Sequence, residues 1–180
     1  TDNFGMIQFA NNIKPDISSG YTLDDNARAM IVCCMDNSPN EGLIKKYLGF
    51  IKHTQQDDGK FHNFVDYDRN VNMENWNDDP HGRALWALGF LMNSKVSEEL
   101  KKEAQGIFDK ASVVIDKTKS PRAVAFMILG LYFYNKARPS PENINKIKGL
   151  ANHLISIYND CSSDEWKWFE TYFTYSNSKI

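Results

Sequence analysis

The sequence predicts an all-α protein, an array of helical hairpins that forms part of an α/α toroid. The prediction rests on a repeated phrase, on the alternation of two helix types, and on connections that are short with one exception. In the phrase, a polar residue suited to begin a helix precedes an Arg-Ala pair and an apolar run, at Asp25–Ala29, Asp79–Ala84 and Ser120–Ala123. Repetition at this scale is typical of stacked or closed helical arrays.

The apolar runs predict three helices without a polar face, over residues 22–35, 79–92 and 120–135. Thr22 and Asp25 form a capping-box pattern at the first start. Asp79 precedes Pro80 and therefore fits the N-cap position of the second helix. A helix that is apolar on all sides is expected to be buried, so we place these helices on the inside of the array.

A second helix type has one apolar stripe and one polar face, and it is predicted over residues 41–56, 97–115 and 140–158. In the last of these we expect Ile144, Ile147, Leu154 and Ile155 to point inward. A final buried helix is predicted from Asp164 to the end of the chain. Inner and outer helices thus alternate, and we expect almost no β-structure outside the aromatic segment 57–78.

Composition narrows the class of protein. The 180 residues fit one domain, residues 1–180, and 42% hydrophobic residues are ample for a core. A net charge of -2 argues against a nucleic-acid surface. The three cysteines, two of them adjacent, fit a reducing compartment, and the first residues do not resemble a signal peptide. We therefore expect a cytoplasmic location, and no membrane span, because the longest apolar run is too short.

If the inner helices are parallel, they all begin at one rim of the array, where the aromatic segment also arrives. This rim collects carboxylates and aromatic rings, the groups that carbohydrate sites use for acid-base chemistry and for stacking on sugars. The candidate catalytic residues are Asp24, Asp25, Asp79 and Glu170. The candidate sugar-binding residues are Tyr21, Arg28, Asp58, Trp76, Asp78, His81, Arg83, Arg122, Trp166 and Trp168. The sequence predicts neither a metal site nor a cofactor.

Structural roles explain several of these residues equally well. Asp25 and Asp79 fit simple N-caps. Arg28 and Arg83 lie one helical turn after those aspartates, which favours salt bridges within the same helix. His81 fits a structural role near a helix start.

The phrases Gly5–Phe9, Ser19–Ala29, Gln55–Phe61, Gly82–Gly89 and Trp168–Glu170 occur together in this chain. They resemble a bacterial family of largely uncharacterised α/α-toroid proteins that are often labelled glycosyltransferase or glycosidase-like. Some members stand beside a glycosyltransferase domain. The resemblance implies a fold of the six-hairpin glycosidase class, which includes hydrolases, lyases and sugar epimerases, and a glycan as ligand. It implies no assignment of catalytic residues.

A complete toroid of that class has six hairpins, whereas this chain supplies three and the expected first helix of a fourth. We therefore expect either a longer protein or a homo-oligomer that covers the open edge. Three functions remain open. The first is a carbohydrate-active domain that uses carboxylate chemistry, and the second is a glycan-binding or accessory domain of a glycosyltransferase. The third is a helical protein-interaction scaffold, which a rim closed by salt bridges without an open pocket would favour.

Overall fold

Helices dominate the structure, a computed structural model that describes residues 1–74, 76–173 and 175–180, with the backbone only at 116, 117 and 179. Within these residues there are six α-helices: α1 Leu23–Cys34, α2 Glu41–Thr54, α3 Asp78–Met92, α4 Glu98–Ala111, α5 Pro121–Ala137 and α6 Pro141–Cys161. The strands are β1 Ile7–Asn11, β2 Lys14–Thr22 and β3 Phe64–Val65. Short 3-10 helices cover Ser112–Lys117 and Asn177–Lys179. None of the described helices combines the length and the apolar character that crossing a membrane requires.

Helices α1 and α3 lie side by side and run parallel. At their starts, Arg83 forms an ion pair with Asp24. Just beyond their ends, Lys95 Nζ lies 3.5 Å from Asn37 Oδ1. Because contacts join start to start and end to end, the two helices point in the same direction, as the repeated phrase predicts.

Helices α3 and α5 are also parallel, and they approach each other closely. Gly82 packs on the backbone of Ala123, and about two helical turns later Gly89 packs on the backbone of Gly130. A Cβ atom at Gly130 would lie 2.7 Å from the carbonyl carbon of Leu85. Glycine is therefore required at this crossing because any side chain would push the two backbones apart.

The amphipathic helices α2 and α4 form a second parallel pair. Glu41 at the start of α2 accepts a hydrogen bond of 2.6 Å from the backbone N–H of Ser97, which precedes α4. Further along, Lys52 pairs with Glu103 at 2.7 Å. Helix α6 returns beside α5, and its His153 ring contacts the carbonyl oxygen of Thr118 at 3.1 Å. From α1 to α6, mostly buried helices alternate with half-exposed ones, as the sequence predicts.

Local capping sets the helix starts. Thr22 Oγ1 accepts the N–H of Asp25 at 3.2 Å, and the Thr22 hydroxyl donates to the Asp25 carboxylate at 2.6 Å. This confirms the predicted capping box. The expectation for α3 is wrong, because Asn77 is the N-cap and its side chain accepts the N–H of Asp79. Asp79 instead lies in the first helical turn, where its carboxylate is available to neighbouring helices.

A three-stranded antiparallel sheet with the order β1-β2-β3 was not expected outside residues 57–78. The left-handed conformation of Asn12 (φ 54°) reverses the chain between β1 and β2. Tyr21 pairs with Val65, and both side chains are buried. The polar, Gly- and Pro-containing sequence of β2 lacks strand propensity, so the strand depends on this tertiary burial.

The predicted helix from Asp164 to the end of the chain is wrong, since the described residues of this stretch form bends and turns, with one short 3-10 helix at Asn177–Lys179. The tryptophans there instead pack on neighbouring aromatic rings, with Trp166 and Phe173 centroids 4.8 Å apart. Two further expectations about burial are also wrong. Helix α1 exposes Val32, its C-cap residue Met35 is exposed as well, and α6 exposes Ile144 and Ile155. Helix α1 contacts α2 and α3, and α6 contacts α5, so the faces that these neighbours leave uncovered meet solvent.

The glycine crossing gives a direct test of the α3–α5 packing. We expect Gly130→Ala to destabilise the protein by about 1–3 kcal/mol, because the new methyl group overlaps the α3 backbone. Gly49→Ala in α2 is the matched control, since no atom lies within 4 Å of its added Cβ. It should stabilise by about 0.5–1 kcal/mol, the usual gain for replacing glycine in a helix. Urea unfolding of both variants measures the difference, and equal effects would contradict the crossing.

Candidate functional site

Charged side chains meet at one place in the structure. They come from the starts of α1, α3 and α5 and from the segment after α6. This rim cluster consists of Asp24, Asp25, Arg28, Asp79, Arg83, Arg122, Glu170 and Tyr175. It contains all four candidate catalytic carboxylates and three of the candidate binding residues. The shared direction of the three helices is what places their first turns together.

In the α1 half of the cluster, two arginines hold two aspartates. Asp24 pairs through one carboxylate oxygen with Arg83 from α3 and through the other, at 2.7 Å, with Arg28. Asp25 pairs with Arg28 at 2.9 Å and accepts the Thr22 hydroxyl with its second oxygen. The predicted salt bridge of Arg83 with an aspartate of its own helix is therefore wrong, because Arg83 reaches back to the preceding helix of the series.

Arg83 is the most enclosed cation of the cluster, with 4% of its side chain exposed. Its guanidinium lies 4.3 Å from the ring centre of Phe126, which in turn stacks on Trp86 at 5.8 Å. The Nη2 group is buried and has no hydrogen-bond acceptor among the described residues. The aromatic ring and the Asp24 carboxylate together compensate the burial of this charge.

In the α3–α5 half, Asp79 is the central acceptor. Its carboxylate accepts the hydroxyl groups of Ser120 and Tyr175, and Arg122 Nε lies 3.4 Å away. Arg122 also forms a two-pronged pair with Glu170, with both N···O distances at 2.5 Å. This geometry is the strongest form of a charge-assisted hydrogen bond in proteins, and it ties the C-terminal segment to α5.

Tyr175 connects the two halves of the cluster. Burial, followed by the hydrogen bond to Asp79 and the charges of Asp79 and Asp24, raises the pKa of Tyr175 to about 12. Arg83 acts on the pKa in the opposite direction. Since groups of both halves influence this one hydroxyl, the halves lie within electrostatic reach of each other. No local pattern in the sequence points to Tyr175, whose partner Asp79 is 96 residues away in the chain.

Seven predicted site residues lie outside the rim cluster, and three of these belong to the core or to a separate loop. Tyr21 is 2% exposed, donates its hydroxyl to Asp2 and belongs to the core. Asp58 pairs with Lys60, and the Lys60 ammonium lies 5.4 Å from the ring centre of Trp76. These residues therefore belong to the core and to a separate loop cluster.

The remaining predicted residues act locally. Asp78 accepts the backbone N–H groups of Lys119 and Ser120 at 2.8 and 3.2 Å, which fixes the entry into α5. Trp166 donates its indole N–H to the carbonyl oxygen of Glu170, and Trp168 packs on other rings of the C-terminal segment. The two tryptophans thus support the segment that presents Glu170 and Tyr175.

His81 is fully buried beside Phe61, whose backbone N–H points to His81 Nδ1 at 3.4 Å. Burial disfavours the charged ring and lowers the pKa of His81 from 6.5 to about 4. The imidazole is therefore neutral at neutral pH and belongs to the structural framework of the α3 start.

The rim cluster is closed by its own contacts. Both oxygens of each candidate catalytic carboxylate are engaged by a guanidinium or hydroxyl group of this chain. Five surface grooves of about 310 to 690 Å³ lie on the described part of the molecule, and none of them is lined by these carboxylates. The largest of the five lies beside β2 and β3.

No protein-family model matches this chain, and no curated protein sequence matches it.

Removing one partner of the buried pairs tests the cluster's role in stability. We expect Arg122→Ala to lower the free energy of unfolding by about 3–5 kcal/mol, because Asp79 and Glu170 lose their shared cation in a largely buried position. Lys146→Ala is the control, since it removes an exposed i,i+4 pair with Glu142. That variant should lose less than about 1 kcal/mol in chemical denaturation. A similar small loss for Arg122→Ala would refute the bracing role.

The pKa of His81 predicts a pH effect on stability. The unfolded chain binds this proton near pH 6.5, whereas the folded chain binds it only near pH 4. Neutral His81 therefore makes its full contribution to the free energy of unfolding above pH 6.5. This contribution, up to about 3 kcal/mol, is lost as the pH falls from 6.5 to 4. We expect His81→Gln to flatten the unfolding free energy between these pH values. A His81→Gln profile identical to wild type would contradict the assignment.

Proposed function

We propose that this chain is a glycan-binding domain, and that its fold is an array of helical hairpins of the α/α-toroid type. The parallel packing of α1, α3 and α5, beside the parallel pair α2 and α4, supports the toroid because each further hairpin would repeat the same relation. When the inner helices of such an array are parallel, they all begin at the same rim. In this chain, aromatic and charged side chains lie together at that rim.

The observation that carries the proposal is the rim cluster itself. It combines ionised groups with the half-exposed ring of Tyr175, and the exposed rings of Tyr172 and Phe173 lie on the same segment. Sugars bind through stacking on such rings and through hydrogen bonds to charged or amide groups. The exposed rings of this segment supply the stacking surface, and the contacts of the cluster hold the segment in place.

The contacts favour binding over acid-base catalysis by this part of the chain. A general acid or a nucleophile needs a carboxylate oxygen that faces the reacting atom. In this chain both oxygens of Asp24, Asp25, Asp79 and Glu170 are used within the protein. We therefore assign these carboxylates to holding the shape of the surface, which corresponds to a glycan-binding or accessory domain.

A glycan array followed by titration calorimetry tests this proposal. We expect the wild-type chain to bind at least one oligosaccharide without releasing a shortened product. Tyr175→Ala should weaken that binding about tenfold, because it removes one ring and the hydroxyl that joins the cluster. Tyr132→Ala is the matched control, since this exposed ring lies on α5 away from its start. Circular dichroism confirms folding of both, and absence of binding to every glycan would overturn the proposal.

A protein-interaction scaffold is the second candidate. The closed rim favours it, as do the exposed side chains of Val32 on α1 and of Met35 at its C-cap. An apolar helix face of this kind is typical of association surfaces. If no glycan binds and sedimentation shows self-association that Val32→Ser abolishes, the scaffold is the better description.

A further inference from the structure

A groove of about 690 Å³ runs beside β2, β3 and the loop that follows β3. This volume is within the range of sites that hold small ligands. Two of its side chains are apolar and well exposed, Phe64 at 49% and Met73 at 56%. None of the described residues that line it is a lysine, an arginine or a histidine. The groove therefore offers a ring surface without positive charge.

The loop wall of the groove is held in one conformation. The Asp66 carboxylate accepts both the backbone N–H and the side-chain amide of Asn70, at 2.8 and 2.9 Å. The backbone N–H groups of Asp66 and Arg69 complete this turn, in which Arg69 adopts a left-handed conformation. The hydrogen bonds from Asn70 lower the pKa of Asp66, so the turn persists at neutral pH. A preformed wall reduces the entropy lost when a ligand binds.

Polar groups flank the Phe64 ring. The backbone N–H of Asn72 donates to the Phe64 carbonyl oxygen at 2.9 Å, which places Asn72 directly across from the ring residue. Asn72 Oδ1 accepts the N–H of Glu74 at 2.8 Å. Among the described residues, nothing engages the Asn72 amide N–H groups or the Glu74 carboxylate. One donor and one acceptor group are thus available beside an exposed aromatic face.

The groove is adjacent to the start of α1. Phe64 pairs with Thr22, the N-cap of that helix. Its neighbour Asn63 accepts the backbone N–H of Asp24 with its side chain, at 3.2 Å. Asn63 therefore links the segment that carries Phe64 to the first turn of α1.

We propose that this groove is a subsite for a neutral sugar residue that stacks on Phe64. The inference rests on the proposed glycan-binding function and adds a ligand class to it. The apolar face of a sugar ring matches the Phe64 ring, while its hydroxyl groups donate to Glu74 and accept from Asn72. An acidic sugar is excluded by repulsion, because Asp66 and Glu74 supply negative charge and no cation lines the groove to offset it.

Titration calorimetry with defined probes tests the subsite. The probes are short cello-, manno- and chito-oligosaccharides, which are neutral, and an oligogalacturonide, which is acidic. We expect a neutral probe to bind wild type and the oligogalacturonide not to bind. Phe64→Ala should weaken the neutral probe about tenfold, the usual contribution of one stacked ring. Phe9→Ala is the matched control, because this ring is 61% exposed on β1 of the same sheet and lies outside the groove.

Each result bears on one of the two proposals. If wild type binds a neutral probe and Phe64→Ala binds it as tightly as Phe9→Ala does, the subsite is wrong and the glycan-binding function stands. Preference for the oligogalacturonide overturns the neutral class. If wild type binds none of the probes and no glycan on the array, the proposed glycan-binding function is wrong, and the subsite is wrong with it. Glu74→Gln should admit the oligogalacturonide in part, and no change in that variant would argue against the charge-based selection.

Discussion

The alignment of the helix starts depends on ion pairs in which a buried arginine of one helix meets an aspartate of the neighbouring helix. Arg83 of α3 pairs with Asp24 of α1, and Arg122 of α5 reaches Asp79 of α3. Both arginine side chains are less than a tenth exposed. A buried cation without a partner is strongly destabilising, so each arginine fixes the position of the preceding helix. Arg28, which has no preceding helix among the described elements, is half exposed and pairs within α1.

Close backbone contact completes the same alignment. The glycines of α3 and α5 let their backbones meet, while the arginine pairs fix which residues stand level at the starts. A shift of α3 against α5 by one turn would separate Asp79 from Arg122 and would move Gly89 away from Gly130. Packing and charge therefore select the same register, which is the consistency expected of a single native structure.

The C-terminal segment shows how this framework creates a surface. Residues 164–173 form no helix, yet Glu170 is held by two short hydrogen bonds to Arg122. The aromatic rings of the segment gather around that anchor instead of joining the core. The groove beside β3 is formed in a similar way, because the Asp66 turn fixes a loop that local propensity leaves undefined. Both surfaces are loops held by polar contacts to a rigid helical framework, which is where binding functions are usually found.

The sequence by itself determined the two helix types, their order and several of their starts. Capping at Thr22 and Ser120 acts within three residues, and apolar periodicity reports burial directly, so both are readable from a local stretch of chain. The tertiary structure decided which aspartate faces which arginine. It also decided that β2 forms by burying Tyr21 against Val65, and that Tyr175 reaches Asp79 across 96 residues. Such partners are set by the geometry of packing between distant segments, which no local pattern in the sequence encodes.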